Sequence, residues 1–235
     1  MSLKIIKYVL KYFSFVSGCL LSISLYSQEV NLFQEPESWN SQGGAAWSFS
    51  DSQILGREGD GFLVSRKIYY DFDLSLEFWV SAKTNSGIFI RCQDSNNINP
   101  DSCYELNIWD NHPNQDARTG AIVGIGMPPL SKVYTVGKWN TYSILARGHS
   151  IEARVNGAVT AVLERAELLS GFIALQKWNE GEVKFRRLQM KEYPNTSSTV
   201  SGKNRKALGV IDFIPGGTSS EGVTPVIKIT NTNTE

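Results

Sequence analysis

The stretch SGIFIRCQDSNNINPDSCYELNIWD, residues 86–110, carries side chains able to do chemistry at alternate positions. Phe89, Arg91, Glu105, Asn107 and Trp109 alternate with Ile88, Ile90, Tyr104, Leu106 and Ile108. Read as strands, these residues put the first set on one face and the second in a core. Two further runs repeat the pattern. DLSLEFWV sets Glu77 and Trp79 opposite Leu74, Leu76, Phe78 and Val80, and FIALQKW sets Phe172, Gln176 and Trp178 opposite Ile173 and Leu175. A one-sided sheet shows polar residues on its wet face, and aromatic residues suit strands generally. Trp79, Phe89, Trp109 and Trp178 on a single face are different, because a solvated sheet does not expose such a patch without a use. Rings beside a carboxylate, amides and a guanidinium suit a carbohydrate, whose C–H face stacks on an indole while its hydroxyls take the polar partners. Asp110 and His112, in WDNHP at the end of the Glu105 strand, are groups able to move a proton there.

Other chemistries leave no trace. The chain has no GxSxG, Walker loop, HExxH or dinucleotide fingerprint. Asp94, Asn96, Asn97 and Asp101 offer the oxygens that Ca²⁺ takes, but without EF-hand spacing, and an Asx-rich run also reads as turns. The sequence requires no cofactor and leaves a divalent metal open.

The elements that must position these groups are strands. SLEFWV, GIFIRC, YELNIW, TYSILAR, IEARVNG, GFIALQ and VKFRRLQMKEY alternate with period two. Asn85-Ser86-Gly87, Arg147-Gly148 and Asn156-Gly157 read as the turns between them, the last being the strongest hairpin signal. AELLSG is the one helical or turn-like piece. Many short strands with little helix predict an all-β antiparallel sandwich or jelly roll. At 235 residues, 41% hydrophobic and 20% charged, the chain suffices for one full-sized domain.

Both ends differ in kind. Residues 1–28 place Lys4, Lys7 and Lys11 around and before an uncharged apolar run of roughly 14 residues, the layout of an export signal and too short for a comfortable membrane span. The mature protein is expected to be periplasmic or secreted. Val16-Ser17-Gly18-Cys19 supports an alternative, a lipoprotein anchored through Cys19. Removing the leader's three Lys from 23 Lys and Arg leaves about 20 against 23 acids, so no basic face for nucleic acid is indicated. Cys92 and Cys103 bracket a ten-residue loop, and export would allow a disulfide between them. PNTSSTVSGKNRK, around 194–206, reads as a polar linker. Residues 207–235 could add an edge strand to the 29–193 domain or remain mobile.

NSGIFIR, YELNIWD, TGAIVG, GKWNTYSILARGHSIEARVNG and GFIALQ followed by VKFRRLQMKE occur in this order over about residues 30–193. The series resembles the 3-keto-disaccharide hydrolase (3-keto-glucoside lyase/hydratase) domain family. The resemblance implies a concanavalin-like jelly roll acting on glycosides oxidised at C3. A C3 ketone acidifies the C2 proton, a base removes it, and the C1 aglycone leaves by elimination; water then adds, giving net hydrolysis. Fitted to that scheme, Glu105 is the base, Arg91 the electrophile for the enediolate oxygen, and Asp110 or His112 the donor to the leaving group. Glu77, Trp79, Phe89, Asn107, Trp109, Gln176 and Trp178 would hold the sugar. Where relatives read Leu-Gln then Asp-His-Gly, this chain has Leu175-Gln176-Lys177-Trp178-Asn179, and Val123 stands where a Tyr is frequent. Two non-enzymatic readings remain: a carbohydrate-binding module using the same face, and a surface protein docking through its aromatic patch.

Overall fold

Alternation dictates the architecture. The computed structural model describes residues 29–31, 36–50 and 52–193, and two short strands at 211–214 and 226–229. In chain order the strands are β1 (Glu29–Asn31), β2 (Trp39–Gly43), β3 (Ala46–Phe49), β4 (Ile54–Arg57), β5 (Gly61–Ser65), β6 (Asp71–Val80), β7 (Asn85–Cys92) and β8 (Tyr104–Ile108). There follow β9 (Asn140–Arg147), β10 (Ser150–Val155), β11 (Ala158–Leu163), β12 (Phe172–Trp178), β13 (Glu182–Tyr193), β14 (Ile211–Ile214) and β15 (Val226–Ile229). One sheet runs β11-β10-β9-β6-β13-β4-β3, with β1 also on β13; the second runs β2-β5-β12-β7-β8, and every pairing is antiparallel. The fold is an all-β, concanavalin-like jelly-roll sandwich.

The main core draws on both sheets. Leu74, Leu76, Phe78 and Val80 of β6 join one buried cluster with Ile88 and Ile90 of β7, Leu106 and Ile108 of β8, and Ile173 and Leu175 of β12. These are the apolar sets that alternation predicts. Asn156 and Gly157, both with positive φ, make the β10–β11 turn, as an Asn-Gly hairpin requires. Asn85-Ser86-Gly87 is not a turn. It is the start of β7, paired with Trp178, Lys177 and Gln176 of β12. No helix forms over AELLSG.

A second, smaller cluster sits on the other side of the five-stranded sheet. Cys92 and Cys103 are joined in a disulfide, and the loop they close lays Ile98 against Val64, Phe89 and Ala174, with Phe62 and Phe172 at its margin. Gln42 of β2 ties the loop down by donating to the Ser95 carbonyl. Beyond β8, the chain returns to pair with it: Asn107 N–H donates to the Ala121 carbonyl, Gly120 N–H to Asn107, and Val123 N–H to Glu105. Edge strand β8 is thereby covered.

The chain divides into two units, Met1–Pro194 and Asn195–Glu235. In the second, β14 and β15 pair with each other, Ile211 opposite Ile229 and Ile214 opposite Val226. The expected export signal at 1–28, the alternative anchor at Cys19, the linker at 194–206 and most of the tail lie outside the described residues. Among the described residues no helix is long and apolar enough to cross a membrane.

Candidate functional site

The site is built on the outer face of the five-stranded sheet, where register decides which side chains meet. Glu105 of β8 lies opposite Phe89 of β7, which lies opposite Ala174 of β12. One step along, Asn107, Gly87 and Gln176 form the next row, continued by Phe62 of β5 and Gln42 of β2. Asn85 and Trp178 form the row after that. Gly87 is the gap in the floor. A Cβ there would stand 3.4 Å from Glu105 Oε1, 3.4 Å from Gln176 Oε1 and 3.4 Å from Phe89 Cε2. The carboxyl and the amide therefore converge over bare backbone.

These groups are buried without being satisfied. Glu105 is 5% exposed, and burial pushes its carboxyl up from 4.5 to about 7. Gln176 Oε1 and Asn85 Oδ1 are buried and lack a hydrogen-bond partner. Unpaired buried polar groups are costly, and their usual meaning is strain, catalysis or a place for a ligand. A protonated Glu105 could donate to Gln176; an ionised one would accept the amide N–H instead. Such a carboxyl can take or give a proton near neutral pH. Trp178, 37% exposed, borders this polar patch, its ring 5.6 Å from that of Phe62. Lys177, between Gln176 and Trp178, points the other way, and its ammonium donates to the Gly59 and Asn179 carbonyls.

The other expected residues divide into three groups. Glu77 and Trp79 do not share this face. Strand β6 belongs to the eight-stranded sheet, so its non-core side points away from the opposite surface of the sandwich. There Glu77 accepts from Arg186 Nε and Arg187 Nη1, both at 2.6 Å. Burial raises the Glu77 carboxyl, but those two guanidinium bonds outweigh it and hold it below the usual carboxylate value. The Lys184 ammonium lies 4.5 Å from the Trp79 ring centroid.

Arg91 is a second correction. Between the pairs Phe89–Ala174 and Cys92–Phe172 the β7 strand holds two residues against one, a β-bulge, with Arg91 at φ 55°. The bulge reverses the alternation, and the wholly buried Arg91 turns inward. Its Nη1 donates to the Gly148 and Leu168 carbonyls at 2.8 and 2.9 Å, with Nη2 3.6 Å from Asp71. It ties strand ends together and does not meet Glu105 on the outer face.

The third group is near the site in other roles. Phe89 is buried beneath Ile98, so it is a wall and not an exposed platform. Asn107 spends its side chain on the neighbouring backbone, donating to the Ala117 carbonyl and accepting from Ile108 N–H. Asp110 is buried and already accepts from the Thr119 hydroxyl, the Thr135 N–H and hydroxyl, and the Val136 N–H. It is a structural hub whose two oxygens are held by four donors, which leaves neither free to carry a proton to a leaving group. Trp109 meets His112 edge to face at 4.4 Å between centroids, while His112 Nδ1 engages Asn114. In the disulfide loop, Asp94 accepts from Asn96 N–H, and Asn99 from Asp101 and Ser102 N–H. Its oxygens thus build Asx turns, and no three His, Cys, Asp or Glu side chains converge among the described residues.

The sequence reading passed over Gly87, Asn85 and Phe62. Asn85-Gly87-Phe89 carries the same period two as its neighbours, a signal masked by taking Asn85-Ser86-Gly87 for a turn. The polar row, the raised carboxyl and the indole at its border put hydrogen-bonding groups and a ring on one surface. The profile of the family described as the 3-keto-alpha-glucoside-1,2-lyase-like domain matches residues 29–191. The chain belongs to this family. Its domain is accordingly a carbohydrate-related, glycosyl hydrolase-like one. No curated protein matches the sequence. Two solved structures, both provisionally assigned glycosyl hydrolases from Parabacteroides distasonis, superpose with TM-scores of 0.62. The first is 22% identical, over 71% of this chain and 100% of its own; the second is 18% identical, over 71% and 94%. At that identity they show a shared fold.

Proposed function

We propose that the protein cleaves the glycosidic bond of 3-keto-glycosides by elimination at the Glu105 face, followed by addition of water. The observation that carries this reading is the buried Glu105 carboxyl, raised to about 7, converging with the unpartnered Gln176 amide over Gly87. A ketone at C3 makes the C2 proton acidic enough for a carboxylate of that strength. Glu105 takes that proton, and the Gln176 N–H, turned to the substrate, donates to the enediolate oxygen in the role first given to Arg91. The C1–O bond then breaks and its electron pair leaves with the aglycone, which takes a proton from His112. Water adds across the resulting double bond, restoring the 3-keto sugar. Trp178 and Phe62 offer the stacking surface. The basic-then-apolar pattern of residues 1–28 and the Cys92–Cys103 disulfide both support an exported, oxidising location. The test is aglycone release from a 3-keto-glucoside by the purified protein and by Glu105→Gln, each with and without a chelator. Release lost in Glu105→Gln supports the elimination; loss with chelator would bring a divalent metal into the reaction.

A second reading is favoured by one feature. Trp178 stands where relatives carry the His of Asp-His-Gly, which suits a carbohydrate-binding module with the same face. Saturable binding of the keto-sugar with no release of aglycone would select it.

A further inference from the structure

A cavity of about 430 Å³ lies past the end of β8 and is lined by Asp110, Gln115, Arg118, Lys132, Tyr134 and Lys138 among others. Three of these are cations and one is an acid. Asp110 stands 3.9 Å from Arg118 Nη2, but its oxygens are filled by Thr119, Thr135 and Val136. Arg118 is the unusual member. It is 3% exposed and makes one hydrogen bond, Nη2 to the Val133 carbonyl at 2.6 Å. Nε and Nη1 are buried with no acceptor. A guanidinium presents five donors in a rigid fork, and burying it half-used has a cost that a planar or tetrahedral oxyanion would remove. The ring of Tyr134, 63% exposed, lies 5.1 Å from the guanidinium carbon, with Lys132 on the same ring at 5.6 Å. The exposed Tyr134 ring thus lies beside the guanidinium, in reach of both cations.

The cavity lies beyond the end of the strand that carries Glu105. Arg118 follows Ala117, whose carbonyl takes the Asn107 amide, and Asn107 is two residues from Glu105 on the same side of β8. Resting on the carbohydrate reading above, we propose that the Arg118 cavity binds an oxyanion substituent, a carboxylate or sulfate, of the sugar seated at Glu105. The preferred ligand is then an acidic carbohydrate.

Calorimetric titration of the whole chain at low ionic strength with glucuronate, glucose and inorganic sulfate tests this. Glucuronate is expected to bind at least about tenfold more tightly than glucose, one good charge-assisted contact. The exposed pair Lys132→Ser/Lys138→Ser should lose most of that preference without affecting glucose. Tyr134→Ala, with no ring to displace, should tighten glucuronate about threefold or more, a modest cation–π contact converted to affinity. Arg118→Met should abolish the preference, and the lysine pair decides the matter should that variant not fold. Equal binding of glucuronate and glucose, or a preference unmoved by the lysine pair, overturns the proposal. Sulfate binding at the lysines without a glucuronate preference also overturns it, in favour of a free inorganic anion. Release of aglycone from a neutral 3-keto-glucoside is measured alongside, so the catalytic reading can stand or fall separately.

Discussion

The two outer surfaces of the sandwich present the same kinds of residue and treat them in opposite ways. On the eight-stranded sheet, Glu77 is clamped by Arg186 and Arg187, Asp73 accepts from Arg147 and Tyr193, and Trp79 lies under Lys184. On the five-stranded sheet, Glu105 has no cation beside it, and Gln176 and Asn85 hold unpartnered oxygens. Alternation of ring and charge marks a wet face; what distinguishes a site is that its polar groups are withdrawn from water and left without protein partners. The paired face gives its carboxylates guanidinium partners, while the unpaired one leaves two buried amide oxygens without a partner.

The sharpest way to break this contrast is Glu105→Gln. Removing a positioned base is expected to lower turnover by about 10²- to 10⁴-fold, read as aglycone release. The same change should stabilise the fold at alkaline pH. The folded carboxyl titrates at about 7 against 4.5 when unperturbed. The native state therefore holds the extra proton between those values, and stability falls as pH rises from 4.5 through about 7. The shift corresponds to about 3 kcal/mol, so denaturant titrations should show Glu105→Gln gaining up to that amount at pH 8 and little at pH 4. Equal stability at both pH values would remove the buried, unpaired carboxyl from the argument.

Next in size is the loop that lays Ile98 over Phe89. Cys92→Ser/Cys103→Ser is expected to cost about 3 kcal/mol on the chain-entropy account, read from the urea midpoint. Because Ile98 then loses its anchor over Phe89, proteolysis should begin within 93–102. An intact loop in the double variant would show that Ile98 and the Gln42 bond hold it alone.

Trp178→Ala should weaken sugar binding by about tenfold, the loss of one stacking contact of about 1–1.5 kcal/mol, with stability changed little because the ring is well exposed. Glu77→Gln, on the paired face, should be the smallest effect: no change in turnover and at most about 1 kcal/mol of stability. A large loss of turnover in Glu77→Gln, with Trp178→Ala silent, would exchange the two surfaces.

Core and fold class were legible because period two is a local property. Leu74, Leu76, Phe78 and Val80, and their counterparts in β7, β8 and β12, fall where alternation puts them. Asn156-Gly157 was legible for the same reason, since a two-residue turn with positive φ is written in two residues. Arg91 was not. A bulge shifts parity through one extra residue, and its place depends on the strand opposite, about 80 residues further on. Glu77 and Trp79 failed differently. Parity tells which side of its own strand a residue occupies, but not to which sheet the strand belongs. Gly87 was misread because a glycine between Ser86 and Ile88 serves equally as a turn or as a gap beneath two facing side chains.

By itself, the sequence determined the strands, their buried sides, the composition of the Glu105–Gln176 surface and the family resemblance, all carried by residues near one another or in a fixed order. The tertiary structure alone decided that Glu105 is buried without a cation, that Arg91 and Asp110 are structural, and that Arg118 lies half-used beneath Tyr134. Those outcomes depend on desolvation and on partners brought from distant strands, and neither quantity belongs to a residue until the chain has closed around it.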